Sequence, residues 1–436
     1  MIPLVSSRVM RECDARAVAE RGVDALVEAA GTAVAAVARQ LLGSSYGRRV
    51  AVLVGPGLNG ADGRVAARRL QERGAKVEVI TVARQPREVR GFDLVIDAAF
   101  GLGCSRPYDA PVVAGSTIVL AVDLPSGVDA DGGQVLGHPL RADVTLALGA
   151  LKYAHVDGHA STYVGQLQFA SLGIVAPKDD AMIEDADLTG FVRRRDDDHK
   201  WTHAMSVLAG SPSMPGAAAL VCAGALCAGA SMVRLESRGK IAKLVQLPPE
   251  VVRFLGPGID QRSRSLVAGP GLGNNASPWL KERLQNLTMG VVLDADALVP
   301  EMLELANGRG WIATPHKKEF ERLSGVVLDS KRVEAARTLS SASGCVILLK
   351  GPTTLIASPN GRVRVVNSGT NALATAGSGD VLSGIIGAAL ARGHDPLDAA
   401  ALSAHLHGLA GARLSVYETA AALTTNVTRV LENFVK

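Results

Sequence analysis

Residues 49–70 read RVAVLVGPGLNGADGRVAARRL, an apolar run that stops at a glycine-rich turn and resumes as a helix-compatible segment. A short run without interior charge suits a buried strand, and the glycines after it let backbone turn sharply and approach a ligand closely. Outward from this stretch the same grammar recurs. Apolar runs stand at KVEVITV (76–82), DLVIDAAF (93–100), STIVLAVDL (116–124) and DVTLALG (143–149), with polar or helix-compatible segments between several of them. A second series follows at MSVLAGS (205–211), SLVAGPG (265–271), VVLDADAL (291–298), GWIATPH (310–316) and CVILLKG (345–351), ending in a glycine-rich loop that enters a helix at 377–391. This alternation predicts an α/β chain with parallel sheets, whose active sites lie at the carboxyl ends of the strands.

The 436 residues exceed one ordinary single-core domain, so two are expected. The charge-dense segment 176–198 predicts a linker between domains at 1–175 and 199–436. Residues 1–42 pattern as helix, with Gly31 closing one segment. The start, MIPLVSSRVMRECDARAVAERG, carries charges every few residues and reads as neither signal peptide nor anchor. The uncharged stretch 211–233 holds Pro212 and Pro215 and little apolar bulk, which favours a buried helix over a membrane span. A net charge of +4 without a dense basic run, and only 3% aromatics, argue against a nucleic-acid partner. Cys13, Cys104, Cys222, Cys227 and Cys345 are odd in number and lack CxxC spacing, as expected of reduced thiols in a cytoplasm.

Gly55, Gly57 and Gly60 satisfy GxGxxG, a weak signal alone. A dinucleotide dehydrogenase wants an acid at the end of the next strand, and Glu78 falls in mid-strand instead. Asp97 and Asp123, by contrast, each fall at a strand end beside Asn59 and Asp62 of the glycine turn. Carboxylates so placed can hold a cation and move a proton, although any one of them could equally cap the turn that follows. These blocks resemble the epimerase domain of the NAD(P)H-hydrate repair proteins, with its N-N-G-G-D-G, V-D-A-x-F-G-x-G and D-x-P-S-G runs, over residues 1–175. The resemblance implies a Rossmann-like domain in which Asn59, Asp97 and Ser126 ligate potassium and Asp123 is the catalytic acid that contacts the hydrated nicotinamide. It also implies that Asn59, Gly60, Asp62 and segment 101–107, with Gly101 and Gly103, bind the substrate. Leu58 and Ala61 depart from the family's run, one removing an amide and the other adding a Cβ, and slowed epimerisation is the expectation. Cys104 reads as a passive side chain. His155 with His159, and His405 with His407, read as structural or surface residues rather than zinc ligands.

The second half carries NSGTNALATAGSGDVLSGIIGAALARG (367–393), where Gly377, Ser378, Gly379 and Asp380 open an uncharged helix. Free amides and the positive end of a helix dipole bind anionic oxygens, and a carboxylate there can take a proton from an attacking hydroxyl. No Walker A sequence occurs. A lone Asp at a helix start often serves only that helix, but the company differs: GPGLG at 269–273, DADAL at 294–298, TPHKKEF at 314–320 and LKG at 349–351 follow His199 and Lys200 in order. The set resembles the ribokinase-like dehydratase domain of the same repair family over residues 199–436, with Trp201 to Ala204 and Ala376 as departures. The resemblance implies that Asp380 is catalytic, that Gly271 and His316 contact the hydrated cofactor, and that Lys350, Gly351, Thr354, Thr370, Gly377, Ser378 and Gly379 wall the nucleotide site. It implies a two-activity enzyme for NADHX and NADPHX, the C6-hydrated cofactors, using ADP (or ATP) with Mg²⁺, and K⁺ in the first domain. Small molecules, not nucleic acid or membrane, are the expected partners, and a cytoplasmic homo-oligomer the expected state. The alternatives are a vitamin-precursor kinase, since fold does not fix substrate, and a dehydratase whose first domain only binds.

Overall fold

The computed structural model describes every residue except 194, 242, 254–258, 416 and 435–436. The chain divides into two compact units: residues 2–180 with 329–331, and residues 181–328 with 332–436 and Met1.

In the N-terminal unit the apolar runs form a six-stranded parallel sheet in the order Gln166–Ala170, Val144–Leu148, Ile118–Val122, Leu94–Ala98, Arg49–Val54, Lys76–Thr81. Leu94–Ala98 is buried throughout and Arg49–Val54 from its second residue on, which is why both read as unbroken apolar runs rather than alternating ones. Helices Val23–Leu42 and Leu58–Gln71 supply part of the cover: Ala30, Val34, Ala38 and Leu42 join Ala66, Ala67 and Leu70 in one core with Val50, Val52, Ile96 and Leu120. The chain leaves Arg49–Val54 toward one side of the sheet and returns on the other. The glycine turn and Asp97 therefore meet at a topological switch point, where α/β sheets open a crevice.

The start of the chain differs from its helical patterning. Strand Ile2–Val5 comes first, and the break between helices Ser7–Arg21 and Val23–Leu42 falls at Gly22, whose φ is +82°. Gly31 lies inside the second helix. A Cβ there would stand 2.4 Å from the Val65 Cβ, so this glycine lets two helices touch instead of ending one. Val23–Leu42 is long and apolar enough to cross a membrane by length and composition, yet its stripe from Leu26 to Leu42 packs into the unit.

The C-terminal unit orders its strands Ala181–Met182, Val363–Val366, Thr354–Ala357, Val346–Leu349, Ile312–Ala313, Gly290–Leu293, Ser265–Ala268, Ala204–Leu208, Met232–Glu236, Val251–Arg253. From Val346–Leu349 onward all pairings are parallel, and the two joins through Thr354–Ala357 are antiparallel. Helix Ser378–Ala391 is buried from Val381 to its end, hence its lack of charge beyond Asp380. It crosses helix Pro215–Cys227, the buried helix expected within 211–233, at a glycine pair. A Cβ at Gly224 would stand 2.4 Å from the Val381 carbonyl oxygen, and one at Gly384 2.2 Å from that of Val221.

Residues 176–198 are not a free linker. From residue 181 they belong to the C-terminal unit, through strand Ala181–Met182 and the fully buried Leu188 and Phe191. The density of charge hides two apolar anchors three residues apart. His405 and His407 are buried as well, His405 with its Nε2 2.9 Å from Asp185 Oδ1, so neither is a surface residue.

Candidate active sites

In the N-terminal unit a cavity of about 480 Å³ opens at the carboxyl ends of the strands. Asn59, Asp62, Gly101, Gly103 and Asp123 line it, together with Leu58 and Cys104. Gly60 does not. It sits where a Cβ would be 2.1 Å from the Gly55 carbonyl oxygen, so it shapes the turn and its neighbours face the cavity. Ala61 lies within helix Leu58–Gln71 without a positive φ, so its methyl group carries no backbone strain. Leu58 is 60% exposed on the cavity wall, leaving an apolar side chain where an amide was expected.

Asp97 and Ser126 are fully buried and bonded to each other. The Asp97 carboxylate accepts from the Ser126 hydroxyl at 2.5 Å, the Ser126 amide at 2.8 Å and the Ala99 amide at 3.3 Å. Burial pushes its pKa up against those bonds, and among the described residues no Lys, Arg or His pairs with it. A buried carboxylate without a cation is a chemical fit for potassium, a hard ion held by oxygens. The Asn59 side chain is adjacent to Gly101, whose Cβ would lie 3.2 Å from the Asn59 Cγ; its Nδ2 is buried with no hydrogen-bond partner among the described residues, a donor for an acceptor atom of a substrate, and only its Oδ1 has the chemistry to face a cation.

Asp123 follows strand Ile118–Val122 with φ at +63°, a conformation rare outside glycine and common at functional sites. Its amide donates to the Leu146 carbonyl at 2.8 Å, while its Oδ1 accepts from the Leu148 amide at 3.2 Å and from Lys152 Nζ at 2.5 Å. Lys152 is 1% exposed and also donates to the Leu148 carbonyl. His155 fastens the turn: its Nδ1 accepts from the Lys152 amide at 2.9 Å and its Nε2 donates to the Asp123 carbonyl at 2.6 Å. Burial, and then Lys152, pull its pKa down to about 4, so it is neutral. Motif reading passes over Lys152 and takes His155 for a bystander. The available signal is a lone lysine closing an apolar run, LALGALKYAHV (146–156).

In the C-terminal unit the centre is Asp294, which the motif blocks include without a role. It is 2% exposed, at the end of strand Gly290–Leu293. Its Oδ1 accepts from Lys350 Nζ at 3.0 Å and the Thr314 hydroxyl at 2.8 Å, and its Oδ2 from the Ser383 hydroxyl at 2.6 Å. Burial alone would raise its pKa, but Lys350, Ser383 and Thr314 together hold it below the usual carboxylate value. Gly379 joins the cluster, since a Cβ there would lie 3.6 Å from Lys350 Nζ and 4.0 Å from Asp294 Oδ2. Asp380, one residue on in the first turn of Ser378–Ala391, has no hydrogen bond among the described residues, so it does not cap its helix. Burial, then the charge of Asp294, and less so that of Asp296, push its pKa up to about 7 against the pull of Lys350. Two carboxylates in one site thus have opposite tendencies, one fixed as an anion and one poised as a base near neutral pH.

The other residues of the expected nucleotide wall lie on the loop that follows Lys350, on the loop after strand Val363–Val366 and at the start of helix Ser378–Ala391. Gly377 opens the helix at φ +91°, and a Cβ there would strike Leu220 at 2.3 Å. The departure at Ala376 is exposed. The Ser378 hydroxyl is tied to the Leu373 carbonyl at 2.7 Å, so its part is to shape the loop. Gly351 and Thr354 form the turn after Lys350, with the Thr354 hydroxyl 3.3 Å from the Gly351 carbonyl oxygen. The exposed Thr370 ends the facing turn, which comes within reach through Thr353 and Asn367, 3.3 Å apart. His316 caps helix Lys317–Ser324, its Nδ1 accepting from the Lys318 amide at 3.1 Å, and leaves its ring half exposed beside Pro315, whose carbonyl binds the Lys350 amide. Gly271, at φ +64°, sits in a loop where a Cβ would be 2.8 Å from the Met214 carbonyl oxygen; the same loop donates from the Gly273 amide to Asp296.

Comparison with known proteins agrees with this division. Residues 205–433 match the family model described as NAD(P)H-hydrate dehydratase, and residues 23–91 and 84–154 match that of the YjeF-related protein N-terminus. A bifunctional NAD(P)H-hydrate repair enzyme of Mycobacterium leprae is 35% identical over 407 residues, covering 85% of this chain and 84% of its own. That of Gloeobacter violaceus is 33% identical over 463 residues, covering 91% and 90%. Among solved structures, the ADP/ATP-dependent NAD(P)H-hydrate dehydratase of Bacillus subtilis, crystallised with ATP and Mg²⁺, superposes with a TM-score of 0.54 at 28% identity, over 59% of this chain and 100% of its own. A ribokinase-like protein of Enterococcus faecalis shares the fold at 20% identity and a TM-score of 0.52, over 60% and 98%. With both family models matched in order and full-length relatives above 30% identity, this chain belongs to the bifunctional NAD(P)H-hydrate repair enzymes.

Proposed function

We propose that the C-terminal unit dehydrates the S form of NADHX and NADPHX at the expense of a nucleotide, and that the N-terminal unit interconverts the R and S forms. The observation that carries the first half is the split carboxylate pair: Asp294 locked to Lys350, and the unpaired Asp380 with a proton affinity near neutrality at a helix N-terminus. Asp380 takes the proton of the C6 hydroxyl as its oxygen attacks the terminal phosphorus of ADP (or ATP), and the bond to the bridging oxygen breaks with its electron pair leaving on AMP (or ADP). Lys350 and the amides of 377–379 face the anionic oxygens, where fixed positive charge matters most. The C6–oxygen bond then breaks with phosphate carrying the electron pair, the ring nitrogen supplies electrons to C6, and loss of a C5 proton restores the dihydropyridine. Phosphorylation replaces a poor leaving group, hydroxide, by a good one.

Mg²⁺, if bound with the nucleotide, would neutralise phosphate charge. Because the described residues contain no cluster of three His, Cys, Asp or Glu, phosphate oxygens would be its main ligands. In the first unit Asp97, Ser126 and Asn59 would hold K⁺, which would offset the buried carboxylate. Gly271 and His316 would contact the hydrated cofactor, and Lys350, Gly351, Thr354, Thr370, Gly377, Ser378 and Gly379 the nucleotide. The active species is proposed to be a cytoplasmic homo-oligomer, with the epimerase in the N-terminal unit and the dehydratase in the C-terminal unit.

The test is recovery of NADH absorbance from a hydrated-cofactor mixture with and without ADP. Nucleotide-dependent recovery with release of phosphate supports the dehydratase reading. A phosphorylated alcohol that accumulates without NADH would overturn it in favour of a kinase.

A further inference from the structure

The N-terminal cavity holds a carboxyl group that the family resemblance leaves as a mere contact. Asp62, in helix Leu58–Gln71, is 7% exposed, lines the cavity, and has no hydrogen bond or ion pair among the described residues. Asp123 reaches the same cavity from a different element, the end of strand Ile118–Val122, with Oδ1 fixed by Lys152 and the Leu148 amide and no partner on Oδ2 among the described residues. Among these residues one carboxyl group is therefore paired with a buried ammonium and the other with nothing. The titratable groups around Asp62 are Asp14 and Asp123, both of which act on it, with Arg11 and Lys152 also on the cavity wall.

Resting on the epimerase reading of this unit, we propose that Asp62 and Asp123 are an unequal acid–base pair. Asp62 protonates the departing C6 hydroxyl of the hydrated nicotinamide, Asp123 accepts the proton of the water that re-adds at C6, and Lys152, ion-paired with Asp123, is the positioning residue that holds it. In the first step the C6–oxygen bond breaks, oxygen leaves with the electron pair and the Asp62 proton as water, and the ring nitrogen lone pair forms C6=N. The iminium charge develops beside the Asp123 carboxylate. A second water then adds through its oxygen to the other face of C6 and gives its proton to Asp123. Return of one proton from Asp123 to Asp62 through solvent closes the cycle, and no oxidant, reductant or nucleotide is consumed. Burial, then the charges of Asp123 and Asp14, raise the Asp62 pKa to about 8, so the acid is loaded at neutral pH. The inequality is what the chemistry needs: two ionised carboxylates could not expel hydroxide, and two neutral ones could not activate water.

The full-length chain is assayed for R-to-S conversion by chromatography, without nucleotide so that dehydration is idle, in H₂¹⁸O and after subtraction of the uncatalysed rate. The parent should incorporate one ¹⁸O per inversion, and its rate should fall as pH rises through about 8 while Asp62 loses its proton. Asp62→Asn should bind hydrated cofactor within a few-fold by calorimetry, yet convert it about 10²–10⁴-fold more slowly and without that alkaline fall. Retention of the C6 oxygen, a parent profile that stays flat through the alkaline range, or an Asp62→Asn variant that converts at the parental rate would each overturn the pair. A parent that shows no conversion above background is a separate outcome, which removes the epimerase reading itself.

Discussion

Replacing Asp380 by Asn should harm catalysis and help the fold, two effects with one cause. The carboxylate is buried near Asp294 and holds its proton up to about pH 7, against an ordinary value of 3.8. A group whose folded pKa is raised stabilises the fold relative to its ionised state below the unfolded value, and that advantage is lost as pH rises through the folded one. With about 1.4 kcal/mol for each unit, the penalty of keeping Asp380 in place grows from about 2 kcal/mol at pH 5 to about 4 kcal/mol at pH 8. Asn has the same shape and no charge to bury, so the variant should exceed the parent in thermal stability of the C-terminal unit, and by more at pH 8 than at pH 5. Its ADP-dependent dehydration should drop about 10²–10⁴-fold, the usual cost of a lost base. In the parent, the same titration should make dehydration rise with pH up to about 7 and then level. Scanning fluorimetry at the two pH values and NADH absorbance on the same samples check both effects. A variant less stable than the parent at pH 8, or one that turns over within a few-fold of it, would refute the reasoning.

Exchange of potassium for a bulky organic cation at constant ionic strength should weaken hydrated-cofactor binding to the N-terminal unit, and calorimetric affinities that do not move would remove the cation from the Asp97 site. Leu58→Asn should speed R-to-S conversion by about 5–150-fold if the apolar side chain leaves a substrate group unmet, the range that roughly 1–3 kcal/mol allows; an unchanged rate would show that nothing polar meets position 58. Gly384→Ala should cost about 1–3 kcal/mol or more, because its methyl group has a backbone carbonyl 2.2 Å away and no side chain to displace. Denaturation of that variant at the parental midpoint would show that the two helices separate freely.

The strand–turn–helix order is legible in the sequence because strands buried on both faces are unbroken apolar runs and the turns after them need glycine. Asp123 and Asp380 are legible by place, each at the junction where such sheets put chemistry. Their partners are not. Thr314, Lys350 and Ser383 converge on Asp294 from 20, 56 and 89 residues away, and spacing carries no trace of that convergence. Lys152 looks like any lysine that ends a strand, and its 2.5 Å contact with Asp123, 29 residues away, shows only in the fold. Gly31 misleads for a related reason: a glycine late in a helical pattern resembles a stop, whereas the cause of this one is Val65, on another helix.

The crossing of Ser378–Ala391 over Pro215–Cys227 sets a limit on how this enzyme could be altered. At Gly224 and Gly384 the obstacle to any side chain is the opposite helix's carbonyl oxygen, which is common to all amino acids. A crowded side-chain contact can be relieved by shrinking the neighbour; this one has no neighbour to shrink. Positions 224 and 384 therefore have no second-site suppressor within the pair. A mutagenesis library aimed at substrate range gains by holding both fixed and placing its diversity in the loops after the strands, at positions such as 316 and 370.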